Sequence, residues 1–192
     1  MEGEVPLPRG CDRAGERSEG ELVSLTAGGD VRAFEALVAR YQRRVYGFAL
    51  RYLRDRDEAA DLAQEIFLRL YRKADRFDPD RPFEPWFWRL AGRVSADYLE
   101  KRALSARALP LDEVAEPEAS GNGLSVSQES SLGSALSRLP RSYRLPLLLH
   151  YELGLRLHEV AEVTGATVPA VKSRLHRARL ELQRELCRDD GV

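Results

Sequence analysis

Near the C-terminus Pro169, Lys172, Ser173, His176 and Arg177 recur at intervals of one to four residues and fall on one side of a helix. From Val168 to Leu180 there are four Lys/Arg and no Asp/Glu. Cationic and hydroxyl groups at that spacing can meet guanine O6 and N7 and phosphate oxygens in a major groove. A merely solvated helix face ordinarily mixes signs; this one does not. A second set lies at Phe83, Trp86, Phe87 and Trp88, followed by Arg89 and Arg93. Such rings can stack on unpaired bases at roughly 1–3 kcal/mol each while guanidinium groups hold phosphates. Simple core packing is the alternative for the same rings. One helix cannot turn Trp86, Phe87 and Trp88 all inward, so Phe87 and Leu90 are expected in the core and Trp86 or Trp88 outside it. A third set, Asp57, Asp61, Gln64, Glu65 and Leu68, shares the outer side of another helix. Its carboxylates form either a solvated face offset by Arg69 and Arg72 or a ridge for a basic partner. No His or Cys lies within reach along that helix, so a metal site is not expected.

The elements that carry these groups follow from apolar spacing. Leu157 to Thr164 predicts a short helix, Gly165 a left-handed turn, and Thr167 the N-cap of a helix whose buried stripe is Val171, Leu175, Ala178, Leu182 and Leu186. Together they predict a helix-turn-helix. Upstream, Asp30 caps a helix running to about Leu53, with Phe34, Leu37, Val38, Tyr41, Val45, Phe48 and Ala49 on one side. A second helix is expected from about Asp57 to Ala74, a loop over RFDPDRPF, and a third helix from Phe83–Trp86 to about Arg102. Leu132, Leu136 and Leu139 predict another, and Leu145 to Tyr151 a further one ending at Gly154. Strand signals are absent, so the fold class is all-α. Two small helical domains are expected, at 19–102 and 131–188, with a disordered extension at 1–18 and a flexible acidic linker at 103–130.

The chain has 192 residues and a net charge of −1, unevenly spread: residues 103–130 carry −4 and residues 131–192 carry +3. The basic C-terminal part keeps nucleic acid open as a partner despite the neutral total. Cys11 and Cys187 are isolated, one near each end, which argues against a disulfide framework or zinc site and suits a reducing cytoplasm. No apolar run reaches membrane-spanning length and no export signal is seen. No cofactor is expected.

Three stretches in order resemble the extracytoplasmic-function sigma factors, the two-domain branch of the sigma-70 family. Asp61-Leu62-Ala63-Gln64-Glu65-Ile66-Phe67 is similar to the segment of region 2 that docks on the β′ clamp helices of RNA polymerase. FEPWFWRLAGRVSADYLEKR, from Phe83 to Arg102, resembles the promoter-melting stretch. Gly165 to Leu186, with VKSRLHRAR, resembles the recognition helix of region 4. The resemblance implies an alternative sigma factor that binds core polymerase through the β′ clamp helices and β flap and helps melt DNA. Its assignments are Asp61, Gln64, Glu65 and Leu68 to polymerase, and Pro169, Lys172, Ser173, His176 and Arg177 to the minus-35 element as double-stranded DNA. Phe83, Trp86, Trp88, Arg89 and Arg93 go to the minus-10 element and its single strand. It also implies an anti-sigma factor as inhibitor, and a linker that threads the RNA exit, for which a solvated spacer is an equal alternative.

The chain departs from the family pattern at three places. Arg93 stands where Asn is usual, Arg156 where Ser normally caps a helix, and Pro146 inside an expected helix, which a kink or a late helix start would accommodate. The competing class is a helix-turn-helix regulator with an N-terminal signal-sensing domain; it would need a dimer seam, not found beyond Leu175–Leu186, and would not need the aromatic cluster. An enzyme has little support, because no phosphate loop or nucleophile motif is present and His150, His158 and His176 lack paired carboxylates.

Overall fold

Capping side chains set where the helices begin. In the computed structural model, which describes residues 17–107 and 131–189, Ser18 and Glu21 form a reciprocal capping box that starts α1, Glu19–Ala27. The Asp30 carboxylate accepts from the backbone N–H of Arg32 at 2.9 Å and Ala33 at 3.2 Å, starting α2, Val31–Leu53. Arg54 ends it in the left-handed region at φ 66°. Asp55 caps α3, Arg56–Lys73, through the N–H groups of Asp57 and Glu58, both at 2.9 Å. A single 3₁₀ turn, Ala74–Arg76, leads into the loop before α4, Phe83–Arg107.

Next among the described residues follow α5, Ser131–Arg138, and α6, Arg141–Leu147. Pro146 sits inside α6 and has no N–H to give. The helix starts five residues before it, at Arg141, so a late start is not used. Beyond it the helix widens into a π turn over Leu148–Glu152, with Leu153 N–H donating to the Leu148 carbonyl at 3.1 Å. Then come α7, Leu157–Thr164, and α8, Val168–Asp189. Among the described residues there is no strand, as the all-α reading expects.

Helices α1 to α4 enclose Leu22, Leu37, Val45, Phe48, Leu62, Ile66, Leu70, Phe87 and Trp88, all buried. Helices α5 to α8 enclose Ala135, Leu139, Leu145, Leu149, Val160, Val171, Leu175 and Ala178. The two sets are not separate cores: α6 lies against α2, α7 lies against α4, and one continuous buried cluster runs through both. The linker boundary also shifts, since α4 stays helical to Arg107 rather than ending near Arg102. Of the linker expected at 103–130 the first five residues belong to α4, and of the disordered extension expected at 1–18 Ser18 caps α1; the rest of both readings lies outside the described residues.

Candidate nucleic-acid interface

The helix-turn-helix is held by its turn. Gly165 takes φ 62°, a conformation that costs a residue with Cβ roughly 1–2 kcal/mol, and the Ala166 N–H reaches back to the Ala161 carbonyl at 3.0 Å. Thr167 Oγ1 accepts from the Ala170 N–H at 3.3 Å and starts α8. Arg156 has no acceptor atoms for a side-chain cap; the Glu159 carboxylate substitutes by accepting the Arg156 N–H at 2.8 Å. Val171, Leu175 and Ala178 point inward, while Leu182 and Leu186 are half-buried. Pro169, Lys172, Ser173, His176 and Arg177 are all exposed on the outer side of α8. The far end of α8 is tied to α5 by Arg138 and Glu185 at 2.6 Å, a contact that holds the Glu185 carboxyl below its ordinary range.

The aromatic stretch of α4 divides along the expected line, with Phe87 and Leu90 in the core and one tryptophan, Trp86, outside it. Phe87 and Trp88 are both in the core, Trp88 only 1% exposed, with its ring edge-on to Phe48 and Tyr41. Phe83 is also buried, stacked on Phe87 at 5.3 Å. In this conformation neither Phe83 nor Trp88 offers a face to a base, which corrects their assignment to the minus-10 strand. Both pack because Tyr41 and Phe77, from α2 and the loop before α4, close over them. Trp86 is the half-buried ring, leaning on Phe77 at 5.1 Å. Beside it Arg69, Lys73, Arg76, Arg89 and Arg93 line one cavity of about 640 Å³, whose opposite wall is Glu162, Val163, Thr164 and Gly165. Arg89 pairs with Glu159 at 3.4 Å and Arg93 with Glu162 at 3.9 Å.

On α3, Asp61, Gln64 and Leu68 are exposed and Glu65 is half-buried beside Arg69 at 3.4 Å. They line a groove of about 520 Å³ with Val94, Asp97, Tyr98 and Lys101 of α4. The acidic ridge therefore has a partner surface that its own helix does not reveal. Tyr71 joins Leu68 as an exposed apolar group on the same helix. Sequence reasoning passed over Arg144, which is 5% exposed and donates to four main-chain carbonyls. Its signal was a cation lying beside the leucine stripe of α6. Burial lowers its pKa to about 10, so it stays charged at neutral pH. Among the described residues no helix is long and apolar enough to cross a membrane.

Comparisons with known proteins agree along most of the chain. Residues 37–104 match the family Sigma-70 region 2, and residues 130–182 match Sigma-70, region 4. The RNA polymerase sigma-H factor of Pseudomonas aeruginosa is 30% identical over 89% of this chain and 95% of its own length. The ECF RNA polymerase sigma factor SigW of Bacillus subtilis is 31% identical over 82% of this chain and 91% of its own. Among solved structures, CnrH in complex with the cytosolic domain of CnrY is 28% identical, with a TM-score of 0.57 over 91% of this chain and 99% of that one.

Proposed function

This chain belongs to the extracytoplasmic-function branch of the sigma-70 family, and on that premise we propose how its surfaces share the work of an alternative sigma factor. As a sigma factor it binds core RNA polymerase and promoter DNA. The helices over 19–107 act as the core-binding and minus-10 unit, and those over 131–189 as the minus-35 unit. Pro169, Lys172, Ser173, His176 and Arg177 read the minus-35 element from α8. Trp86 stacks on a flipped base of the minus-10 strand, with Arg89 and Arg93 on its phosphates. Asp61, Gln64, Glu65 and Leu68 dock on the polymerase β′ subunit, and the chain acts in the bacterial cytoplasm as a binding protein rather than an enzyme. An anti-sigma factor that covers these faces is part of the same reading.

The observation that carries this reading is the exposed face of the first half of α8, free of Asp and Glu from Val168 to Leu180 and set on a capped helix-turn-helix. Purified chain added to bacterial core polymerase should start transcription from a promoter-specific site, which a conventional regulator or an enzyme would not do. Trp86→Ala should keep closed-complex formation but open strands slowly, and a template with a pre-opened bubble should rescue it, because stacking energy is no longer required. Wild-type opening by Trp86→Ala would remove the stacking role.

The docking ridge gives a separate expectation. Asp61→Ala with Glu65→Ala should weaken core binding without lowering thermal stability, since neither carboxylate belongs to the buried stripe of α3. Exposed ion pairs of the Glu65–Arg69 kind contribute about 0–1 kcal/mol to folding. A double variant that pulls down core polymerase as well as wild type would reject the ridge as the docking site.

A further inference from the structure

We propose that the cavity between α3, α4 and the end of α7 binds a free nucleoside polyphosphate, a ligand beyond the promoter and polymerase contacts assigned above. Its two long walls are helix faces. Trp86, Arg89, Arg93 and Asp97 line it from α4, three or four residues apart, so they share one side of that helix. Arg69 and Lys73 line it from α3 at the same spacing, with Arg76 in the turn that follows. The last residues of α7 and Gly165 form the third side. They come close because α4 carries Gly92, where a Cβ would meet Val163 Cγ1 at 2.8 Å and Leu149 Cδ2 at 2.9 Å. The cavity of about 640 Å³ falls within the ~300–1,000 Å³ of small-molecule sites.

The cations of this cavity are available to a ligand. Lys73 is half-buried and Arg76 exposed, and neither meets a carboxylate among the described residues. The guanidinium groups are loosely held: Arg69 lies 3.4 Å from Glu65, Arg89 3.4 Å from Glu159 and Arg93 3.9 Å from Glu162. Charge-assisted hydrogen bonds close at about 2.7–2.9 Å. Elsewhere in the chain Arg44–Glu84 and Arg138–Glu185 reach 2.6 Å. Glu159 keeps the Arg156 N–H at 2.8 Å when Arg89 turns away, so that exchange leaves no orphaned carboxylate. Guanidinium forks match phosphate oxygens better than a lone ammonium does, and Lys73 adds a mobile point charge. A diphosphate or triphosphate carries enough negative charge to meet them together.

The rest of the lining suits the rest of a nucleotide. Trp86 is half-buried and offers a ring on which a base can stack, while Leu90, Val94 and Val163 add apolar surface. Asp97 and Glu162 are acceptors on the same lining, and the C-terminal end of α7 presents carbonyl oxygens. Ribose hydroxyls and base amino groups can donate to them; an inorganic anion has nothing to donate. Single-stranded DNA shares the base and phosphate chemistry. A strand must leave at both ends, however, and α7 walls one side of this cavity. A free nucleotide needs a single mouth.

The test is calorimetric titration of the full chain, without polymerase, with ATP, GTP, inorganic tripolyphosphate, adenosine and a single-stranded minus-10 oligonucleotide. Wild type should bind ATP or GTP, and bind tripolyphosphate and adenosine more weakly by on the order of tenfold, since each lacks half of the contacts. Trp86→Ala should weaken the nucleotides by on the order of tenfold and leave tripolyphosphate unchanged. Arg76→Glu, and Lys73→Gln, which removes a charge without adding one, should each weaken nucleotides and tripolyphosphate by on the order of tenfold. Neither residue is assigned to DNA or polymerase, and thermal unfolding without ligand checks that both variants fold; Arg76 is exposed, so its variant should match wild type. Arg43→Glu makes the same charge change on an exposed part of α2 outside the cavity and should alter little. No binding of ATP or GTP overturns the site, as does nucleotide binding that ignores Arg76→Glu and Lys73→Gln. Tripolyphosphate binding as tight as ATP, or equal losses with Arg43→Glu and Arg76→Glu, overturns it as a general attraction for polyanions. If the cavity variants weaken only the oligonucleotide, the cavity belongs to the DNA strand and the nucleotide site is rejected.

Discussion

Trp88→Ala should lower the stability of the chain by about 3–5 kcal/mol, the cost of removing a large buried ring. For a protein of this size that corresponds to a fall in Tm of roughly 6–20 °C, measured by circular dichroism. The ring is 1% exposed and meets Tyr41, Phe48 and Phe87 with centroids between 5.0 and 6.4 Å, so its removal opens a hole lined by stiff aromatics that cannot collapse into it. Arg44 also lies over the ring, 5.0 Å from its centroid. One term runs the other way. The Trp88 Nε1–H is buried with no acceptor among the described residues, and an unmet donor costs about 1–3 kcal/mol. Trp88→Phe removes that donor while keeping most of the volume, so it should cost far less than alanine. Trp86→Ala should cost less in the same assay, because that ring is only partly buried against Phe77 and Phe83. Equal losses for Trp86→Ala and Trp88→Ala would mean that both rings are structural, leaving no aromatic on α4 free to stack on a base.

That split between the tryptophans marks the limit of what one helix can say about itself. Residues two apart lie on roughly opposite sides of α4, so periodicity requires that Trp86 and Trp88 differ but does not decide which turns inward. The decision comes from Tyr41 on α2 and Phe77 in the preceding loop, which are far away in sequence and near in space. Local signals were readable where the physics is local: Asp30 and Thr167 as N-caps, Gly165 as a left-handed turn, and the 171, 175, 178 stripe as buried. The exposed face of α8 followed from that stripe. Arg144 and Gly92 stayed silent for another reason. Their partners, Tyr52, Leu149 and Val163, belong to the other half of the chain, and a sequence read as two independent domains has no place for them.

Arg177→Ala should weaken minus-35 recognition by about 1–3 kcal/mol, roughly 5- to 150-fold, and relax discrimination at a single base pair. The residue is exposed one turn beyond Ser173, on the face that also carries Lys172 and His176. Val171, Leu175 and Ala178 hold the opposite face in the core, so the helix cannot rotate to offer another set. Lys172→Ala has a different expected signature. If its ammonium sits on a phosphate, affinity should fall across all sequences and the salt slope should drop by about 0.9. Both measurements belong in the complex with core polymerase, the form in which a sigma factor meets its promoter. Neither change touches a buried side chain, so Tm should stay within the range of an ordinary surface substitution, about 0.5 kcal/mol. That separates recognition from folding, because a helix made loose by mutation would lose affinity and stability together. Should the Arg177→Ala/Lys172→Ala pair keep wild-type affinity, base preference and salt slope, the basic face of α8 over 168–180 is only a solvated surface and the minus-35 element is read from elsewhere on the chain.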